Sequence, residues 1–141
     1  MKVALVTGAA QGVGFATARL LAEKSYHVVM TDVQPLDAQV DALGALGGSV
    51  SALSGDISSE EFVIELAEKI AREHGAADVL VNNAGISLIC SAETTSIEQW
   101  QRVMNINLTG PFLLCREIGK QMLGRNRGNI INVASIAGLH G

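Results

Sequence analysis

Short apolar runs alternate with amphipathic stretches from one end of this chain to the other, and that rhythm limits the fold more than any other feature. The runs are Val3–Thr7, His27–Thr31, Ser49–Leu53, Asp78–Val81 and Asn129–Ala134. Between them lie helical patterns over Val13–Lys24, Leu36–Leu46, residues 58 to about 74, and a long region from Ser96 to about Met122. Strands separated by helices make βαβ units, whose strands pair in parallel through right-handed crossovers. The runs VALV, VVM, VLV and IINV are apolar at nearly every position, as expected of strands covered by helices on both faces. The sequence therefore predicts one α/β domain over residues 1–141, a three-layer α/β/α sandwich around a doubly wound parallel sheet. Such sheets bind ligands beyond the carboxyl ends of their strands, so the chemistry belongs at that edge.

Local signals punctuate the pattern. Ser58-Ser59-Glu60-Glu61 and Ser96-Ile97-Glu98-Gln99 each fit a capping box, in which serine and Glu or Gln satisfy each other's free amides. Gly75 is a C-terminal stop for the helix that ends near His74. Pro111 interrupts the long region and marks either the first turn of a second helix after Asn107 or a kink. Residues 124–129 read as a turn.

The motifs sit at the strand ends. After the first strand comes Thr7-Gly8-Ala9-Ala10-Gln11-Gly12-Val13-Gly14. Glycines there allow a tight turn and close backbone approach to a phosphate, and the helix that follows points its free amides at the anion. The alternative is an ordinary Gly-rich strand-to-helix turn. Asp32 closes the second strand, where a carboxylate can accept hydrogen bonds from both ribose hydroxyls of an adenosine. It would also repel the extra phosphate of NADP: like charges about 4 Å apart cost on the order of 4 kcal/mol at an effective dielectric near 20. No Arg or Lys lies nearby in sequence to compensate, so NAD is expected over NADP. Asp56, after the third strand, could accept from an adenine amino group or simply favour a helix N-terminus. Asn82-Asn83-Ala84-Gly85 follows the fourth strand, with two asparagines that need partners if buried. The fifth strand delivers Ser135.

In this order the motifs resemble the short-chain dehydrogenases/reductases. The resemblance covers the whole chain and implies a Rossmann-type fold and an NAD-dependent oxidoreductase. Such an enzyme moves a hydride between nicotinamide and a secondary alcohol or ketone. It implies that Gly8, Gln11, Gly12, Val13 and Gly14 hold the dinucleotide pyrophosphate, that Asp56 and Ile57 lie at the adenine, and that Asn82, Ala84 and Gly85 line the cofactor and support the sheet. It makes Asn107 the asparagine that bends the long helix and carries a proton relay. Ser135 becomes the serine that polarises the substrate oxygen. The general acid/base implied is a Tyr-x-x-x-Lys pair beyond Gly141; the one tyrosine here, Tyr26, precedes the second strand. The chain is therefore expected to be the N-terminal part of a longer enzyme, cut after its fifth strand, and inactive alone. The fifth strand would otherwise be an open apolar edge. When intact, the resemblance implies a homo-oligomer, a dimer or tetramer. The rival reading is a short, catalytically inactive module that binds dinucleotide or pairs with another subunit. An epimerase relative or a methyltransferase fits less well, because neither explains Asn107 with Ser135.

Composition supports this class by exclusion. A net charge of −4 offers no basic footprint for nucleic acid or an anionic membrane. No apolar run approaches a membrane span, and the apolar N-terminus is too short for a signal peptide. Cys90 and Cys115 lack metal-ligand spacing and read as reduced core or near-core residues of a cytoplasmic protein; no metal is expected. Substrate contacts are expected at Ile86, Ser87, Leu88, Leu139 and His140, and no chemistry at His27 or His74.

Overall fold

The computed structural model describes residues 1–139, so His140 lies outside the described residues. Strands β1 (Lys2–Thr7), β2 (Tyr26–Thr31), β3 (Ser49–Ala52), β4 (Val79–Asn82) and β5 (Asn129–Asn132) form one parallel sheet in the order β3-β2-β1-β4-β5. The chain winds outward from β1 through β2 to β3, then returns to lay β4 and β5 on the other side of β1. The winding reverses between β1 and β4. This is the doubly wound α/β fold of Rossmann type.

The pleat sends alternate side chains to opposite faces. Val3, Leu5, Val29 and Leu80 pack against α3 (Glu60–His74) and α5 (Gly110–Gly124). Val6, Val28, Met30 and Val81 pack against α1 (Gly12–Glu23) and α2 (Asp37–Ala45). Burying each such side chain contributes roughly 1.5–3 kcal/mol, so the three central strands carry most of the core. The edges do not follow the two-sided pattern. Every residue of β5 is exposed, Ile131 by 51%.

The helix starts show which local signals hold. Ser96 and Gln99 form the expected capping box at the start of α4 (Ile97–Met104), with the Ser96 amide donating to Gln99 Oε1 at 2.9 Å. The box expected from Ser58 to Glu61 does not form. The amide and hydroxyl of Ser58 both donate to Asp56 Oδ1 at 2.8 Å, so Ser59 caps α3 instead by accepting from the Phe62 amide. Three residues on from Ser59 stands Phe62, which has no group to return the bond. Between α4 and α5 the helix widens into a π-turn, Asn105–Thr109, and Pro111 sits in the first turn of α5. The helix runs on from the π-turn without a break, Thr109 and Gly110 both being helical, so Pro111, which has no N–H to donate, stands where the wide turn ends. Cys115 is half-buried beside Asn82, but Cys90 is exposed. The core position expected for Cys90 is wrong, because the segment from β4 to α4 runs over the surface.

At the amino edge of the sheet, Asp78 ties three elements together. It is buried, its Oδ2 accepts from the Val3 amide at 2.9 Å, and Arg127 Nη2 reaches Oδ1 at 3.0 Å. Arg125 donates to the Ala77 carbonyl at 2.7 Å. Burial pushes the Asp78 carboxyl up, but the Val3 amide, Arg127 and Arg125 together hold it below its ordinary value. A lowered carboxyl contributes stability that is present above the unfolded pKa, near 4, and is lost as pH falls through the folded value. Asp78→Ala strips the Val3 amide of its partner and should lower stability by about 1–3 kcal/mol at neutral pH. Urea midpoints at pH 7 and near pH 3 test this. The gap between wild type and variant should shrink in acid, and an equal gap at both would refute the role of the charge.

Candidate functional site

A cleft of about 360 Å³ opens at the carboxyl edge, where the winding reverses between β1 and β4. Of the residues expected to bind cofactor, Gly8, Gln11, Asp32, Asp56, Ile57, Ala84 and Gly85 line it. Gly12, Val13, Gly14, Asn82, Asn107 and Ser135 do not.

The glycine turn explains part of this division. Gly8 has φ +64° and Gly12 φ +57°, in the left-handed region that side chains disfavour. A Cβ on Gly8 would stand 2.9 Å from Ala84 Cα, so β1 and β4 meet there backbone to backbone. Gly14 is buried, and a Cβ on it would collide with the Gly8 carbonyl oxygen. Its task is to let α1 approach the turn. Gly12 and Val13 are exposed and directly follow Gln11, which lines the cleft. The first α1 amide with a backbone partner is that of Phe15, which donates to Gln11. Those of Gly12, Val13 and Gly14 have none among the described residues, which leaves donors free for an anion.

Thr7 stitches the floor of the cleft. Its Oγ1 accepts from the amides of Asn83 (3.0 Å) and Ala84 (2.9 Å), and Asn83 Nδ2 donates back to the Thr7 carbonyl at 3.0 Å. The two asparagines have different tasks. Asn83 lines the cleft, whereas Asn82 turns away to Asn132 Oδ1 at 2.9 Å and so joins β4 to β5.

The carboxylates are anchored. Asp32 Oδ2 accepts from the Ala10 amide at 3.0 Å and Oδ1 from the Gln34 amide at 3.1 Å. An ionised carboxylate has about four lone-pair sites, so lone pairs remain for a ligand's hydroxyls. Asp56 is exposed on the rim, held in place by Ser58.

Asn107 lies within the π-turn and grips the chain after β4. Its Oδ1 accepts from the Ile86 amide and its Nδ2 donates to the Ile86 carbonyl, both at 2.8 Å. Ser135 lies just past β5 and caps a short turn, Ile136–Gly138, accepting from the Ala137 amide at 3.2 Å. Its own O–H stays free to donate.

Of the expected substrate contacts, Ile86 lines the cleft, and Leu88 lines a separate groove with Cys90 and Trp100. Ser87 and Leu139 are exposed. Tyr26 and His27 begin β2, and His27 stacks on His74 at 4.1 Å, so all three lie at the opposite, amino edge. Sequence reasoning missed Val33, Gln34 and Ile106 in the cleft. The first two were within reach, being the next residues after Asp32. Ile106 had no signal, since only the π-turn brings it there. Among the described residues, no cluster of three or more His, Cys, Asp or Glu is placed to hold a metal, and no helix is long and apolar enough to cross a membrane.

Comparison with known proteins bears on this geometry. A family model described as short chain dehydrogenase matches residues 2–141. D-threitol dehydrogenase of Mycolicibacterium smegmatis is 41% identical over 140 residues, covering 96% of this chain and 53% of that protein. NAD-dependent glycerol dehydrogenase of Listeria innocua is 38% identical over 140 residues, again covering 96% of this chain and 53% of that protein. Among solved structures, a metagenomic short-chain oxidoreductase in complex with NADP superimposes with a TM-score of 0.94 at 36% identity, covering 99% of this chain and 65% of that one. The chain thus spans about half the length of the curated relatives it matches.

Proposed function

Because the chain belongs to the short chain dehydrogenase family, we propose that it forms the cofactor-binding part of an NAD-dependent oxidoreductase acting on a secondary alcohol or ketone. The observation that carries this is the cleft at the β1/β4 reversal, lined by Asp32 and by Gln11, directly after which come the free amides of α1. The residues fit the group. Unpaired amides suit a pyrophosphate, and a carboxylate with spare lone pairs suits a ribose diol.

NAD, when bound, supplies or accepts the hydride. The amides of Gly12, Val13 and Gly14 hold its phosphates, Asp32 the adenosine ribose, and Asp56 and Ile57 border the adenine. Ala84 and Gly85 let the cofactor lie close to the backbone. Ser135 donates its hydroxyl hydrogen to the substrate oxygen as negative charge develops there. Both ends of the Asn107 amide are engaged by Ile86, so in this reading its side chain is a strut and a proton relay would use its main chain. The family resemblance implies a tyrosine–lysine acid/base beyond Gly141, and this chain spans about half the length of the curated relatives. The two relatives named for D-threitol and glycerol make small polyols the first substrates to try.

The NADP complex of a structural relative makes cofactor choice the sharpest test. The full-length protein should bind NADH more tightly than NADPH in a fluorescence titration. Asp32→Asn removes the charge that faces a 2′-phosphate and should shift the preference toward NADPH by about tenfold or more. Equal affinity of wild type for both cofactors would sink the assignment of NAD.

A further inference from the structure

The turn before α1 is held by more than its glycines. Ala9 and Ala10 are buried within it. The Ala9 amide donates to the Thr31 carbonyl at 3.2 Å, and the Ala10 amide to Asp32 Oδ2 at 3.0 Å. The Ala10 carbonyl accepts from Gln39 Nε2, in the first turn of α2, at 2.8 Å. Both polar groups of Ala10 are therefore fixed from outside the turn.

We infer that Gln39 is a positioning residue for dinucleotide binding, acting on the pyrophosphate end of the cleft through the Ala10 carbonyl. The inference rests on the cofactor reading above. The peptide that joins Ala10 to Gln11 is planar and trans, so its carbonyl and amide point in opposite directions. With the carbonyl drawn toward α2, the Gln11 amide is aimed away from α2, and Gln11 lines the cleft. That amide has no backbone partner among the described residues. Gln39 thus presets one donor of the anion cradle and the path of the chain into Gly12.

The other end of the same side chain supports a role beyond packing. Gln39 Oε1 is buried without a hydrogen-bond partner. Buried polar atoms are seldom left so, and an apolar side chain would fill the space without that cost. Turning the amide over would not help, since it would set Oε1 against the Ala10 carbonyl, acceptor against acceptor. The donor to Ala10 is what the glutamine supplies there. Its action differs from that of Asp32. Asp32 faces the ribose, where NAD and NADP differ, whereas Gln39 acts at the pyrophosphate they share.

The test is titration of the full-length protein with NADH and with NADPH. Gln39→Met keeps the length of the side chain and removes the donor. Gln39→Lys restores a donor and is read in high salt, where its charge is screened. Loss of one neutral hydrogen bond should weaken Gln39→Met roughly threefold to tenfold for both cofactors, with their ratio unchanged. Gln39→Lys should recover most of the loss, and the unfolding midpoints of the two variants should not track their affinities. Wild-type affinity in Gln39→Met overturns the inference alone, as does equal weakness of both variants. A wild-type protein that binds neither cofactor overturns the reading of the cleft and this inference with it.

Discussion

Gly14→Ala in the full-length protein should destabilise the fold by about 3 kcal/mol or more and abolish measurable NADH binding. The new Cβ would fall on the carbonyl oxygen of Gly8 and close to Asn83 Nδ2. Overpacking a tight site typically costs about 1–3 kcal/mol when a side chain can move aside. Here the main obstacle is backbone, itself fixed by the approach of Gly8 to Ala84. Relief therefore requires α1 to retreat from β1, which carries the free amides of its first turn away from the cleft. Gly12→Ala is the control. A Cβ at Gly12 meets open space, so only the left-handed φ is penalised, by roughly 1–2 kcal/mol. Urea unfolding of the two variants, with NADH titration of each, separates collision from conformational preference. Equal stability of the two would refute the close-packing role of Gly14.

The contrast between these two glycines also marks where reading the sequence stops. A Gly-rich turn between an apolar strand and a helix was legible, because its spacing and flanks are local. Which glycine serves a left-handed turn and which serves helix approach was not, because the difference lies in Gly8 and Asn83, atoms brought there by the sheet. The central strands were legible for the same local reason: VALV and VVM can only be covered on both faces. The site divides likewise. Asp32 and Asp56 follow strands whose ends are visible in the pattern, and both line the cleft. The grip of Asn107 on Ile86 depends on a π-turn that no periodicity announces. The Ser58 box failed because Asp56, two residues earlier, competes for the same serine. Gln39 gave no signal at all, since its partner is a carbonyl in a different loop.

Ser135→Ala should lower kcat/KM of the full-length enzyme by about 10²–10³-fold while leaving its affinity for NADH unchanged. The hydroxyl accepts from the Ala137 amide at 3.2 Å, an orientation that fixes the oxygen and leaves its hydrogen free. A preset donor of this kind needs no reorganisation when charge develops on the substrate oxygen, and removing one such donor costs about 2.7–4 kcal/mol of transition-state stabilisation. The same substitution also removes the cap of the Ile136–Gly138 turn, worth typically about 1 kcal/mol. Three measurements separate the two losses. Thermal unfolding reads the cap, NADH titration reads the cofactor cleft, and Ser135→Thr, which keeps both hydroxyl and cap, should recover most of the activity. If Ser135→Ala lost less than about tenfold in kcat/KM, or lost NADH affinity in step with activity, Ser135 would be a structural cap at the end of β5 and the hydrogen-bond donor to the substrate oxygen would have to be sought elsewhere.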